Sequence, residues 1–137
     1  MSQRGVHTSN FSLGVSAADQ YQFRMNDRDA VNPGAAVLVA PGTAVAGQWV
    51  HLTGTYDFTA RRLTLYVNGV PAATTTETFA PWHATGSLLV GAAFWNDGIA
   101  DPWPGGLDNV GVFNGVLTAT QIQNLYRFNN PFYVAEG

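Results

Sequence analysis

Residues 62–69 read Arg-Leu-Thr-Leu-Tyr-Val-Asn-Gly. Leu63, Leu65 and Val67 alternate with Arg62, Thr64 and Tyr66. That is the period of a strand with one dry face and one wet face. Asn68-Gly69 tolerates the positive φ angles of a tight hairpin, so a third strand is expected to return from Val70. The preceding strand is predicted over residues 49–57, from Trp49 to Tyr56-Asp57. An apolar strand face must be covered by a second layer, so this segment already points to packed antiparallel sheets.

The rest of the chain repeats the theme. Phe11, Leu13 and Val15 alternate, as do Tyr21, Phe23 and Met25 after a polar break at residues 17–20, which predicts another hairpin. Residues 26–33 read as a polar loop and residues 36–39 as a short strand. Further strands are predicted near residues 70–78, over 88–94 and over 107–113, with a long rim loop at 95–106. Thr118-Ala119-Thr120-Gln121 matches a capping box, so one brief helix is expected to start there and end before Asn129-Asn130-Pro131. Many short strands with a single helix predict an all-β fold: an antiparallel two-sheet sandwich with one short C-terminal helix. The expected core comprises Phe11, Leu13, Phe23, Trp49, Val50, Leu52, Leu63, Leu65, Val67, Leu88, Val90, Val110, Val112, Leu117 and Ile122.

At 137 residues the chain is read as one domain, residues 1–137, large enough for a core without staples. Charged residues make up 11%, against roughly 25% in an ordinary soluble domain. Polar uncharged side chains must therefore coat the wet faces, a composition that suggests an extracellular or cell-surface setting. A net charge of −3 with six basic residues leaves no electrostatic footprint for nucleic acid. No run of 18 apolar residues exists, so no membrane insertion is expected, and Met1-Ser2-Gln3-Arg4 carries no apolar signal segment. Cysteine is absent, which excludes disulfides and thiolate chemistry.

Several stretches resemble one family. The tryptophan strand ending in Tyr-Asp and the Leu-Tyr-Val-Asn-Gly strand are similar to the centre of a laminin-G-like jelly roll of the concanavalin A-like lectin and glucanase architecture. Gly106-Leu107-Asp108-Asn109-Val110 followed by Gly115-Val116-Leu117-Thr118 resembles that family's closing strand and helix start. The opening Ser2-Gln3-Arg4-Gly5 and Asn10-Phe11-Ser12-Leu13-Gly14 resemble an internal strand pair. The resemblance covers residues 2–126 and implies a jelly-roll recognition scaffold. Domains of this type begin with further strands ahead of the point where this chain starts. The edge they would cover is expected to be filled by more of a parent protein, by a second copy in a homo-oligomer, or by the tail at residues 131–137.

Two kinds of site follow. Sugars offer apolar faces that stack on aromatic rings and hydroxyls that need donors and acceptors. Trp82, Trp95 and Trp103, with Asn96, are the candidate ligand-binding residues for a glycan or an extracellular protein, set against the ordinary role of such tryptophans in packing. Calcium is the candidate cofactor. The resemblance implies a rim ion held by oxygen ligands, and Asp97 with Asp101, or Asp27 with Asp29, would each supply two carboxylates. Catalysis is not expected. Glycoside hydrolysis needs two carboxyl groups flanking one bond, whereas Glu77 and Glu136 lie far apart and no strand places two acids on one face. His7, His51 and His83 stand in no catalytic motif. The expected function is non-catalytic recognition. The competing reading is a structural or self-assembly module completed by a partner chain.

Overall fold

A computed structural model describes residues 1–129. The elements are β1 (Ser2–Arg4), β2 (Ser9–Val15), β3 (Tyr21–Asn26), β4 (Ala35–Val39), β5 (Leu52–Asp57), β6 (Arg62–Val67), β7 (Val70–Thr76), β8 (Leu88–Leu89), β9 (Ala93–Trp95), β10 (Gly98–Ala100) and α1 (Ala119–Asn129). They form a five-stranded sheet in the order β4-β3-β2-β1-β8, a three-stranded sheet β5-β6-β7, and the small β10-β9 ribbon. Every strand pair is antiparallel. The two larger sheets pack face to face, with β4 against β6 and β7, and β3 against β6. The fold is an antiparallel β-sandwich with one short helix. The tail at residues 131–137, one of the expected fillers of the open edge, lies outside the described residues.

The core is where the alternating faces meet. Phe23, Met25 and Leu38 of the large sheet close on Leu63 and Leu65 of the small one, both fully buried. Phe11, Leu13, Tyr56 and Val67 pack around them. β5 comes close enough to touch Phe23 because its central residue is Gly54. A Cβ built there would stand 2.7 Å from the Phe23 ring.

The hairpin between β6 and β7 turns on Asn68 (φ 52°) and Gly69 (φ 76°), the two positive angles the sequence implies. The Asn68 side chain also accepts the His51 N–H at 2.9 Å, tying the turn to the start of β5. Gly69 lies under α1, where a Cβ would meet Gln123 and Tyr126 at 3.2 Å. The helix opens with the predicted reciprocal cap: Gln121 N–H donates to Thr118 Oγ1 at 3.2 Å, and Thr118 N–H donates to Gln121 Oε1 at 2.8 Å. Ile122 is fully buried beneath it.

Three expectations are corrected. The strand beginning at Trp49 starts instead at Leu52, and Trp49 is 63% exposed, outside the core. Residues 107–113 form no strand, so Val110 and Val112 are exposed, not buried. The two departures share a cause: among the described residues β5 pairs only with β6, and no ladder draws residues 107–113 onto its other edge. The expected strand over 88–94 is broken by Gly91 at φ 84°. Leu88 and Leu89 pair with β1, the chain turns, and β9 begins at Ala93, leaving Leu88 and Val90 exposed.

Gly54→Ala tests the close approach of the sheets. The added methyl must displace the Phe23 ring, so unfolding free energy should fall by about 1–3 kcal/mol, read from urea melts. An unchanged melt would show that β5 and β3 are not in contact.

Candidate functional site

The same alternation that builds the core sends a second set of side chains to the opposite face. Ser12 pairs with Arg24, and Gly14 with Gln22, so Ser12, Arg24 and Gln22 share the wet face of β2 and β3. The β9–β10 ribbon folds over this face. Its turn residues, Asn96 (φ 49°) and Asp97 (φ 64°), form a second two-residue hairpin turn within the stretch expected to be a long rim loop. Asn and Asp are the side chains best able to adopt that conformation without glycine. Phe94 N–H donates to Ser9 Oγ at 3.0 Å, Thr8 Oγ1–H donates to the Phe94 carbonyl at 3.3 Å, and Ser2 Oγ–H donates to the Ala92 carbonyl at 3.0 Å. These bonds seat the ribbon on the sheet.

Between sheet and ribbon lies a groove of about 320 Å³ bordered by Ser12, Ser16, Gln22, Arg24, Trp95 and Asp101. Arg24 is its centre. Its Nε donates to Asn26 Oδ1 at 2.7 Å, and its guanidinium carbon stands 4.3 Å from the centroid of the Trp95 ring. Burial lowers the Arg24 pKa, and the Asp101 carboxylate works in the other direction. Arginine nevertheless remains charged at any physiological pH. Among the described residues, Ser12 Oγ, the Gln22 amide, the Asp101 carboxylate and the Trp95 indole N–H have no hydrogen-bond partner.

The other predicted residues sit elsewhere. Trp82 is half-buried, and its indole N–H donates to the Asn26 carbonyl at 2.9 Å. Trp103 donates to the Gly106 carbonyl at 3.1 Å. Asn96 holds the rim together, accepting the Asn32 N–H at 2.8 Å and donating to Asn32 Oδ1 at 2.7 Å. Asp97 lies 2.7 Å from His7 Nδ1. Asp29 receives the N–H groups of Val6, His7 and Thr8 at 2.6, 2.7 and 3.1 Å. Asp27 pairs with Arg28 at 3.2 Å. A calcium ion takes six to eight oxygen ligands. The donor set does not fit one: Asp29 faces amide protons, Asp97 faces an imidazole, and no three His, Asp or Glu side chains converge among the described residues.

The acids show the same dispersal. Glu77 is 4% exposed and accepts the Tyr56 hydroxyl; burial and that bond push the Tyr56 pKa up to about 12. Asp108 accepts the N–H of its neighbour Asn109 at 2.8 Å. Neither lines the groove. A second, largely apolar cavity of about 500 Å³ lies between β2, β3, β5 and residues 107–117. Its outer wall is the exposed stretch carrying Val110, Val112, Phe113 and Val116.

Comparison with known proteins agrees with the fold. A family model described as the concanavalin A-like lectin/glucanases superfamily, of laminin-G type, matches residues 1–123. The chain belongs to that superfamily. Its sandwich resembles the crystal structure of an S-layer domain-containing protein from Clostridium thermocellum ATCC 27405, with a TM-score of 0.52 and 18% identity. The match covers 89% of this chain and 58% of that one, so this chain spans rather more than half of that domain's length. At that identity the likeness shows the fold alone. No curated protein matches the chain.

Within this laminin-G-type sandwich, sequence reasoning concentrated on loop tryptophans and aspartates and passed over Ser12, Gln22 and Arg24. Their signal was present. They are the wet-face partners of Phe11, Leu13, Phe23 and Met25 in two alternating strands.

Asp29 gives a titratable check on the rim. Burial tends to raise its pKa, but three backbone N–H bonds and the nearby His7 hold it below the usual aspartate range. Its contribution is therefore complete above a pH of about 4 and lost as the pH falls through the lowered value. Asp29→Asn should cost on the order of 1 kcal/mol at neutral pH, and the gap to the parent chain should close in acid melts. A deficit constant across pH would show that the charge is not what the amides hold.

Proposed function

We propose that the chain is a non-catalytic recognition module that binds glycan in an extracellular or cell-surface setting. The observation that carries this reading is Trp95. Of the three candidate tryptophans, it alone has an indole N–H without a protein partner, and it borders a groove in which Ser12 Oγ, the Gln22 amide and the Asp101 carboxylate are equally open. A sugar hydroxyl both donates and accepts, so such a lining suits it. The acids that hydrolysis would require are separated, with Glu77 buried under Tyr56. Membership of a superfamily whose description includes lectins supports the same reading.

A glycan array tests it. The parent chain should retain a subset of sugars, and Trp95→Ala should weaken that signal roughly tenfold or more. An array on which the parent chain retains nothing would contradict glycan recognition.

One observation favours an assembly module as the second reading. Val110, Val112, Phe113 and Val116 expose an apolar stretch beside an edge of β5 that is unpaired among the described residues, and such edges invite a partner strand. The structural neighbour is itself described as an S-layer domain-containing protein. If copies join through this edge, light scattering over a dilution series will show mass rising with concentration, and Val112→Lys will abolish the rise. A constant monomer mass would remove this reading.

A further inference from the structure

Charge balance and hydrogen-bond complementarity in the sheet-face groove narrow the ligand class; this inference rests on the glycan reading above. We infer that Arg24 and Asp101, flanked by Gln22 and Ser12, grip an uncharged sugar unit through neighbouring hydroxyls, and that the groove discriminates against acidic glycans.

The argument begins with charge. Among the residues that line the groove there is one cation, Arg24, and one anion, Asp101, near enough that the carboxylate acts on the guanidinium. A ligand carboxylate or sulfate drawn to Arg24 would be brought beside Asp101, and an ammonium would meet the reverse penalty. Like charges held together in a partly desolvated site cost more than in water. A neutral ligand incurs neither cost.

Hydrogen bonding points the same way. The Arg24 terminal nitrogens, beyond the Nε bonded to Asn26, are donors only, and the Asp101 carboxylate is an acceptor only. Two adjacent hydroxyls satisfy both, one accepting from the guanidinium while the other donates to the carboxylate. The Gln22 amide offers both roles, Ser12 Oγ offers both, and the Trp95 N–H adds a donor. The volume of about 320 Å³ lies at the small end of ligand pockets, enough for one or two rings and not for a long chain within it.

Arg24 is held before any ligand arrives. The Asn26 bond fixes one edge of the guanidinium, and the Trp95 ring supports its face. Less side-chain entropy is then lost on binding. This arrangement also redefines Trp95. The ring face that supports Arg24 is occupied, so Trp95 acts on that side as a positioning residue, with its N–H turned to use as a donor. Lysine at position 24 would keep the charge but lose the planar fork that the indole supports.

Gly14 stands just outside the groove's lining, on the face it shares with Ser12 and Gln22, where added bulk crowds the Gln22 end without replacing any groove residue. It pairs with Gln22 on the same face, lies between Ser12 and Ser16 in sequence, and a Cβ built on it meets nothing within 4 Å. A large side chain there enters open space beside Gln22.

The test uses the whole chain on two printed sets of mono- and oligosaccharides, one of uncharged hexoses, pentoses and N-acetylhexosamines and one carrying uronate, sialate or sulfate groups. Affinities of hits are then measured by calorimetry at about 50 and 500 mM salt, where charge screening differs strongly. The expected result is retention of uncharged sugars with affinity that does not depend on salt. Arg24→Lys and Gly14→Trp should each lose roughly tenfold or more, while the melting temperature of Gly14→Trp stays at the parent value. Preference for the acidic set, or binding that weakens with salt, would overturn the neutral-ligand inference and leave glycan recognition standing. Uncharged sugars bound equally well by a folded Gly14→Trp would overturn the groove as the site, again leaving that reading intact. Retention of no sugar of either set would remove both.

Discussion

The register of β2 against β3 is the constraint on which the rest depends. With Leu13 opposite Phe23 and Ser12 opposite Arg24, the large sheet is apolar on one face and hydrogen-bonding on the other. Side chains alternate strictly, so a slip of one residue would exchange the two faces, burying a guanidinium and exposing two aromatic rings. The desolvation cost of an unpaired charge is several kcal/mol, and the loss of core burial adds to it. Register is therefore fixed strongly, and the groove is the other side of the same decision that makes the core.

What converts a wet sheet face into a concave site is the β9–β10 ribbon. It is short, and two devices hold it in place. Asn96 and Asp97 accept the left-handed conformation its turn demands, and serine and threonine hydroxyls near β1 and β2 bond its backbone. The rim aspartates belong to this scaffolding. Asp29 gathers three amides and Asp97 meets His7, so carboxylates that look like metal ligands in sequence act as loop anchors. Low overall charge suits such a surface, since the groove is lined by neutral groups around a single opposed Arg24–Asp101 pair.

The parts legible in the sequence are those decided by local chemistry. Alternation gave β2, β3 and β6, a short apolar run gave β4, Asn68-Gly69 gave the hairpin, and Thr118 with Gln121 gave the helix start. The misjudged parts depend on tertiary partners. Residues 107–113 alternate like a strand but find no ladder, and Trp49 loses its cover for the same reason. Gly91 broke a run that its neighbours made look continuous. For the site, Trp95 and Asp101 stood out as loop residues. Arg24 did not, because its importance arises from a ring 71 positions away in sequence that only the folded ribbon brings over it.

The central claim is that ligand enters between the large sheet and its ribbon. Nitrogen-15-labelled chain titrated with an uncharged oligosaccharide gives the most direct view, because the indole and side-chain amide protons report individually. The account predicts that the Trp95 indole and Gln22 amide resonances move with saturating ligand while those of Trp82 and Trp103, already bonded to carbonyls, stay in place. Perturbations gathered instead along β5 and residues 107–117, with Trp95 and Gln22 unmoved, would contradict it.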